Sequence, residues 1–339
     1  MSLPILALLS LIIGLIGLVW SANLFVSGSA SVAKHVGMTP MMIGLTVVAF
    51  GTSAPEMIVS ADAALNGIPA MGVGNAIGSN IANIALVLGV TALIAKIPIN
   101  AGLMRLEVPL LLAVTALAAI CLWDYQLTHA EGWVLLGATI PVSIILIRHA
   151  RNNTSAASDS DVEIPDLSGL KSALWLIIGL VALLGFADLL VWSAKSIAEY
   201  MGVSPMVIGL TVVALGTSLP ELAASITSAL KGHHEIAIGN IVGSNILNLL
   251  AVMALPGIIV ATDLESSVIS RDLLTMTLLT LALVAVMWLK TRNQSPSQSF
   301  NNPTNDSTLD KTPSIGRFIG FLFISVYISY YVVIILTNG

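Results

Sequence analysis

Ten apolar runs divide the 339-residue chain, at about 4–33, 39–65, 71–95, 104–123, 130–148, 170–199, 204–230, 236–260, 270–290 and 314–336. As helices, most are long enough to cross the roughly 30 Å of hydrocarbon in a bilayer. Backbone polar groups in that medium must be satisfied internally, which leaves only helices or a closed barrel. A barrel would show short alternating strands, and none are apparent. Composition agrees: 56% of residues are hydrophobic, 9% are charged and the mean hydropathy is +0.96, far from soluble domains. The chain reads as an all-α polytopic membrane protein. The first run lacks a basic start and exceeds signal-peptide length, so it reads as a retained helix. The single cysteine, Cys121, excludes an intramolecular disulfide and reads as a small core residue. The formal charge of −5 sits almost entirely in loops and points to no nucleic-acid partner.

The basic residues orient the spans. If successive runs alternate sides, Lys34, Lys96, Arg105, Arg148, Arg151, Lys171, Lys231, Lys290, Arg292, Lys311 and Arg317 share one side, and only Lys195 and Arg271 take the other. By the positive-inside bias the crowded side is cytoplasmic and both termini are extracytoplasmic. The polar segments 150–169 and 291–313 then read as solvated cytoplasmic linkers. Asp159, Asp161, Glu163 and Asp166 are taken as part of that solvation.

An internal repeat constrains the architecture further. "GMTPMMIGLTVVAFGTSAPE" (37–56) aligns without gaps to "GVSPMVIGLTVVALGTSLPE" (202–221), with fifteen of twenty positions identical. The same offset of 165 pairs "GNAIGSNIAN" (74–83) with "GNIVGSNILN" (239–248), and residues 22–33 with 187–198. Two five-helix copies are expected, 1–149 and 170–339. Five is odd, so the second copy enters the membrane from the opposite side. Inverted repeats of this kind are characteristic of alternating-access transporters with sites near the midplane.

The repeated motifs carry chemistry. Pro55 and Pro220 lack an N–H, so each leaves the carbonyl four residues back without its helical partner. Irregular backbone at membrane depth is tolerated only where it is buried in protein or lines a cavity. Glu56 and Glu221 are costly there unless paired, and no lysine or arginine lies in the central part of these helices. A cation is the expected partner. Carboxylates, hydroxyls and carbonyls without nearby cysteine or histidine suit hard ions such as Ca²⁺ and Na⁺. Two carboxylates match one Ca²⁺ or two Na⁺. In the second motif, Ser79 with Asn83 and Ser244 with Asn248 share a helical face at a spacing of four.

The paired "GTSxPE" and "GNxxGSN" segments resemble the alpha repeats of the sodium/calcium exchanger family, within the Ca²⁺/cation antiporter superfamily. The bacterial calcium/sodium antiporter branch is most similar, because the central linker is too short for a regulatory domain. The resemblance implies ten helices, in which the second, third, seventh and eighth enclose a diamond of cation sites. The ligands it implies are Thr52, Ser53 and Glu56 with the Ala49 carbonyl, and Thr217, Ser218 and Glu221 with the Ala214 carbonyl. Ser79, Asn83, Ser244 and Asn248 complete the set. It also implies that the first and sixth helices form a mobile pair sliding across this core. Some branches, including potassium-dependent exchangers, carry aspartate at the position of Asn248. With asparagine in both copies, the resemblance does not extend to potassium co-transport, and the Na⁺:Ca²⁺ stoichiometry stays open.

The expected function is exchange of Ca²⁺ for Na⁺ across a bacterial inner membrane, with no tightly bound cofactor. A monomer is compatible with that function. A proton-coupled cation antiporter would use the same glutamates, and a cation channel ranks below both. An intramembrane enzyme lacks a supporting motif, since no HExxH is present and the histidines lie in loops or at helix ends. Asp62 is given no role. Asp188, whose repeat mate is Asn23, reads as a buried polar contact between helices. "HHE" at 233–235 reads as capping or solvation rather than a metal fragment. Glu107 and Asp272 read as helix-start carboxylates.

Overall fold

The computed structural model describes residues 3–99, 101–152, 167–202, 214–292 and 313–338. The acidic cluster at 159–166, most of the 291–313 loop and positions 203–213, in the second copy of the first motif, lie outside these described residues. The first copy contributes Leu3–Val36 (α1), Pro40–Thr52 (α2), Ala54–Leu65 (α3), Pro69–Ile94 (α4), Leu103–Cys121 (α5) and His129–Asn152 (α6). The second contributes Gly169–Tyr200 (α7), Ala214–Thr217 (α8), Leu219–Leu230 (α9), His234–Ile259 (α10), Val268–Thr291 (α11) and Arg317–Asn338 (α12). Among the described residues, eight helices are long and apolar enough to cross a membrane singly, and the bent pair α2–α3 makes a ninth. The expected seventh span falls at α8–α9, whose leading half is not described.

Local sequence explains where the helices stop. Gly37, Gly67, Gly202 and Gly232 take φ of +70° to +78° just past α1, α3, α7 and α9. Glycine adopts this left-handed conformation without penalty, which closes a helix and frees the chain to turn. Gly37 with Gly202, and Gly67 with Gly232, are repeat mates, so the punctuation recurs at the same offset.

The long helices α1 and α7 pack along their length and run antiparallel. Gly14 lies against Leu190, Gly28 against Leu176 and Gly179 against Phe25, while Ser31 Oγ and Ser172 Oγ sit 2.7 Å apart. A Cβ at Gly28 or Gly179 would strike the backbone of the facing helix. In lipid, where no hydrophobic force pulls helices together, such close backbone approach supplies the attraction. Gly14 and Gly179 are repeat mates, as are Phe25 and Leu190, so the crossing has a local two-fold character.

Other contacts cross between the copies. The last helix of the first copy, α6, packs on the end of α10, and α12 packs on the end of α4. Two short antiparallel ladders do the same: Ile97–Pro98 (β1) pairs with Ser314–Ile315 (β4), and Gln126–Leu127 (β2) with Thr262–Asp263 (β3). Each ladder joins segments expected on one membrane side. The interior is a continuous apolar core around Ile77, Ile81, Leu88, Ile241 and Leu250, and Cys121 is buried in it.

Two expectations are corrected. Asp188 is exposed on α7 rather than forming a buried polar contact between helices, because the close seam between α7 and α1 runs through the glycines. His233 is buried, not solvated. Burial beside Lys231 and His234 pushes its imidazole down to about 4, so it is neutral at physiological pH. Asp272 goes beyond a helix-start role: Arg271 donates to it at 2.6 and 3.1 Å, and the Tyr330 hydroxyl at 3.0 Å.

The two copies differ in how α1 and α7 cover the core. α9 packs against α1, whereas α3 makes no comparable packing against α7. Lys231, at the end of α9, donates to Ser27 Oγ at 2.6 Å and to the Asn23 carbonyl at 3.4 Å on α1. Its repeat mate Asn66 bonds back to its own helix, at the Asp62 carbonyl. Lys231 therefore ties α1 to α9 on one side only. Lys231→Met is expected to raise amide hydrogen exchange around Ser27 severalfold. Unchanged protection would show that glycine packing alone holds α1.

Candidate functional site

The site begins where each motif breaks its helix. Ser53 and Ser218 have left helical geometry, at φ/ψ of −82°/5° and −90°/3°, each followed within two residues by proline. The first break bends α2 against α3 by 41°. Glu56 and Glu221 therefore lie in the first turn of a new helix, in the protein interior, and both are 0% exposed. Among the described residues no lysine or arginine bonds to either carboxylate. Ser53 Oγ donates to Glu221 Oε1 at 3.1 Å, which places the motif of the first copy against the glutamate of the second copy.

The "GNxxGSN" helices bring the rest. Asn83 and Asn248 each open a π-helical turn, Asn83–Leu88 within α4 and Asn248–Val252 within α10. Such widened turns are often found at functional sites. Ser79, Asn83, Ser244 and Asn248 are all buried. α10 reaches the broken helix closely: a Cβ at Gly239 would lie 2.6 Å from the Met41 carbonyl oxygen, and one at Gly243 2.5 Å from that of Leu45.

A set of orphaned polar atoms follows. Both oxygens of Glu56, Oε2 of Glu221, Oγ of Ser218 and Ser244, and both side-chain polar atoms of Asn83 and Asn248 are buried without a hydrogen-bond partner among the described residues. Leaving a buried polar group unmade costs about 1–3 kcal/mol, and more when it is charged. The amide oxygen of Asn245, in the second motif, is orphaned as well, whereas Tyr327 Oη and Thr139 Oγ1 are single atoms outside the two motifs. Thr52 and Ser53 are buried in the same region, and Thr217 is half-buried. The Ala49 carbonyl already accepts from the Ser53 N–H at 3.0 Å and, weakly, from Thr52 Oγ1 at 3.4 Å, leaving a lone pair in part. Ala214 begins α8. The donor set is two carboxylates with neutral hydroxyl, amide and carbonyl oxygens. No group of three or more His, Cys, Asp or Glu gathers among the described residues.

The sequence reading missed two residues. Asn75 Nδ2 donates to the Glu56 carbonyl at 3.1 Å and to Ser60 Oγ at 3.0 Å. Asn240 Nδ2 donates to the Glu221 carbonyl at 3.4 Å and to Ser225 Oγ at 3.0 Å. The signal was present, since asparagine 75 recurs at 240 within the quoted motif, but nothing local showed what it bonds.

Fold and site together define a helical membrane protein built around a buried set of uncommitted oxygens. The profile of the family described as "Sodium/calcium exchanger protein" matches residues 6–146 and 171–336. The putative antiporter CaxA of Alkalimonas amylolytica is 43% identical over 282 residues, covering 82% of this chain and 88% of that protein. Inner membrane protein YrbG of Escherichia coli K12 is 37% identical over 290 residues, covering 84% and 89%. A solved structure of the sodium-calcium exchanger NCX_Mj, soaked with Na⁺ and Sr²⁺, superposes with a TM-score of 0.78 at 31% identity, covering 97% of each chain. The chain belongs to the sodium/calcium exchanger family, a family of transporters.

Proposed function

We propose that this protein is a secondary-active antiporter that exchanges Ca²⁺ for Na⁺ by alternating access, built from ten helices as two inverted five-helix repeats, 1–149 and 170–339. The observation that carries the reading is the set of orphaned atoms on Glu56, Asn83, Ser218, Glu221, Ser244 and Asn248, drawn from both motifs of both copies. Hard cations pair best with such oxygens. Glu56 and Glu221 bridge a Ca²⁺, and Thr52, Ser53, Thr217, Ser218 and the Ala49 and Ala214 carbonyls complete its shell. Ser79, Asn83, Ser244 and Asn248 supply flanking oxygens for Na⁺. The family membership and the name of the NCX_Mj structure support the same ion pair.

Charge enforces exchange over leak. With ions bound, the two carboxylates are neutralised and the site can change the side it faces. Emptied, it holds two buried negative charges, which are expensive in low dielectric. In this conformation α1 covers α9 and is tied by Lys231, which on the proposed topology closes the cytoplasmic side. Both termini then lie outside the cell and the linkers 150–169 and 291–313 inside. The deciding experiment is ⁴⁵Ca²⁺ flux in proteoliposomes under separate Na⁺, K⁺ and H⁺ gradients. Flux is expected to follow the Na⁺ gradient and to ignore the other two. Flux that follows pH and ignores Na⁺ would replace this reading with proton coupling.

A further inference from the structure

Three asparagine pairs recur in the "GNxxGSN" segments, and they are not equivalent. Asn80 and Asn245 donate their amide nitrogens inside their own helices, to the Ala76 and Ile241 carbonyls at 2.8 Å, although Asn245 Oδ1 stays unpartnered. The side chains of Asn83 and Asn248 have no hydrogen-bond partner among the described residues. Asn75 and Asn240 alone reach across to the helix that carries the glutamate, and both do so in the same way, onto a glutamate carbonyl and the serine four residues beyond it. Asn240 does more. It is 0% exposed, and its Oδ1 accepts from Thr52 Oγ1 of the other copy at 3.1 Å. A carbonyl can only accept, so the Glu221 carbonyl fixes the amide of Asn240 with its nitrogen toward α9 and its oxygen toward Thr52.

We infer that Asn240, with Asn75 as its counterpart, is a positioning residue of the transport site, an inference that rests on the exchange reading above. The amide nitrogen holds the glutamate-bearing turn at a set distance from the helix carrying Ser244 and Asn248. The Thr52 hydroxyl also has the Ala49 carbonyl and the Glu221 carboxylate within reach, and with a cation drawing on those two oxygens its single proton is left to the amide oxygen of Asn240. A hydroxyl has one hydrogen and two lone pairs, so Thr52 with its proton spent on Asn240 presents only acceptor density elsewhere. That is the orientation a cation ligand needs. Asn240 thereby prepares one ligand from each copy without touching the ion itself.

The sign of one substitution separates this role from the alternatives. Asn240→Asp keeps the acceptor for Thr52 but removes the amide donor, and sets a carboxylate oxygen against the Glu221 carbonyl. If position 240 acted through its field or as a ligand, added negative charge would tighten cation binding. A positioning role requires the opposite. Ca²⁺ binding would be measured by ⁴⁵Ca²⁺ titration of the purified full chain, alongside its ion-free melting temperature and its exchange in proteoliposomes. Half-saturating Ca²⁺ is expected to rise about tenfold or more, the loss of about one charge-assisted contact. Binding as tight as wild type or tighter overturns the inference. So does a lowered ion-free melting temperature with unchanged half-saturation, which marks a residue that only braces the fold. If Asn240→Asp does not purify, Asn75→Asp at the half-buried counterpart decides with the same sign. A wild-type chain that neither binds nor exchanges Ca²⁺ removes the exchange reading and this inference with it. Normal wild-type exchange beside an unaltered Asn240→Asp removes the inference alone.

Discussion

Glu56→Gln and Glu221→Gln each lower Na⁺-driven Ca²⁺ flux by roughly a hundredfold or more. A unit charge pair at 4 Å is worth on the order of 4 kcal/mol at the effective dielectric of a protein, and every 1.4 kcal/mol is about tenfold in affinity. Both carboxylates are fully buried, so water cannot stand in for either. Neither oxygen of Glu56 accepts a hydrogen bond from another described residue, so its exchange for glutamine breaks no contact between helices. Ion-free Glu56→Gln should therefore melt at or above the wild-type temperature, while the rise that Ca²⁺ gives the wild type disappears. That combination separates a lost ligand from a damaged fold. Near-normal flux in both variants would sink the proposed site.

Gly243→Ala should be nearly as severe, although glycine 243 offers no ligand. Its added methyl would lie 2.5 Å from the Leu45 carbonyl oxygen and 2.8 Å from Ala49 Cβ. Both neighbours belong to α2, close to the break, so neither can give way without moving the backbone. α10 must back off, which carries Ser244 and Asn248 away and pulls Asn240 from Thr52. A misplacement of about 1 Å can cost a reacting site roughly a hundredfold, and flux is expected to fall at least tenfold. Gly137→Ala on α6 is the comparator, since a methyl there meets nothing within 4 Å among the described residues. It should transport as wild type. Equal flux from both alanine variants would show that α10 and α2 can separate without harm.

The amino-acid sequence was a good guide wherever a local property decided the outcome. Transfer to lipid depends on a run's length and apolarity, so α1 at Leu3–Val36 was legible as 4–33 and α7 at Gly169–Tyr200 as 170–199. The break at Ser53 was legible because a missing N–H on Pro55 acts within one turn. The burial of Glu56 and Glu221 followed from their place inside apolar runs. Asp188 shows the limit. Hydropathy places it at a depth but leaves its rotation about the helix axis open, and the glycine seam turned it outward.

What the sequence determined by itself was the membrane class, the duplicated halves and the two segments rich in oxygen, because each is written in residue type and spacing along one chain. Which helices meet was decided only in the tertiary structure. The antiparallel α1–α7 seam, the exchange of α6 and α12 between copies, the one-sided tie of Lys231 and the bond from Thr52 to Asn240 all join residues more than a hundred positions apart. In lipid every apolar face is equally content, so partner choice falls to close backbone approach and to the pairing of buried polar groups. Both are properties of surfaces in three dimensions.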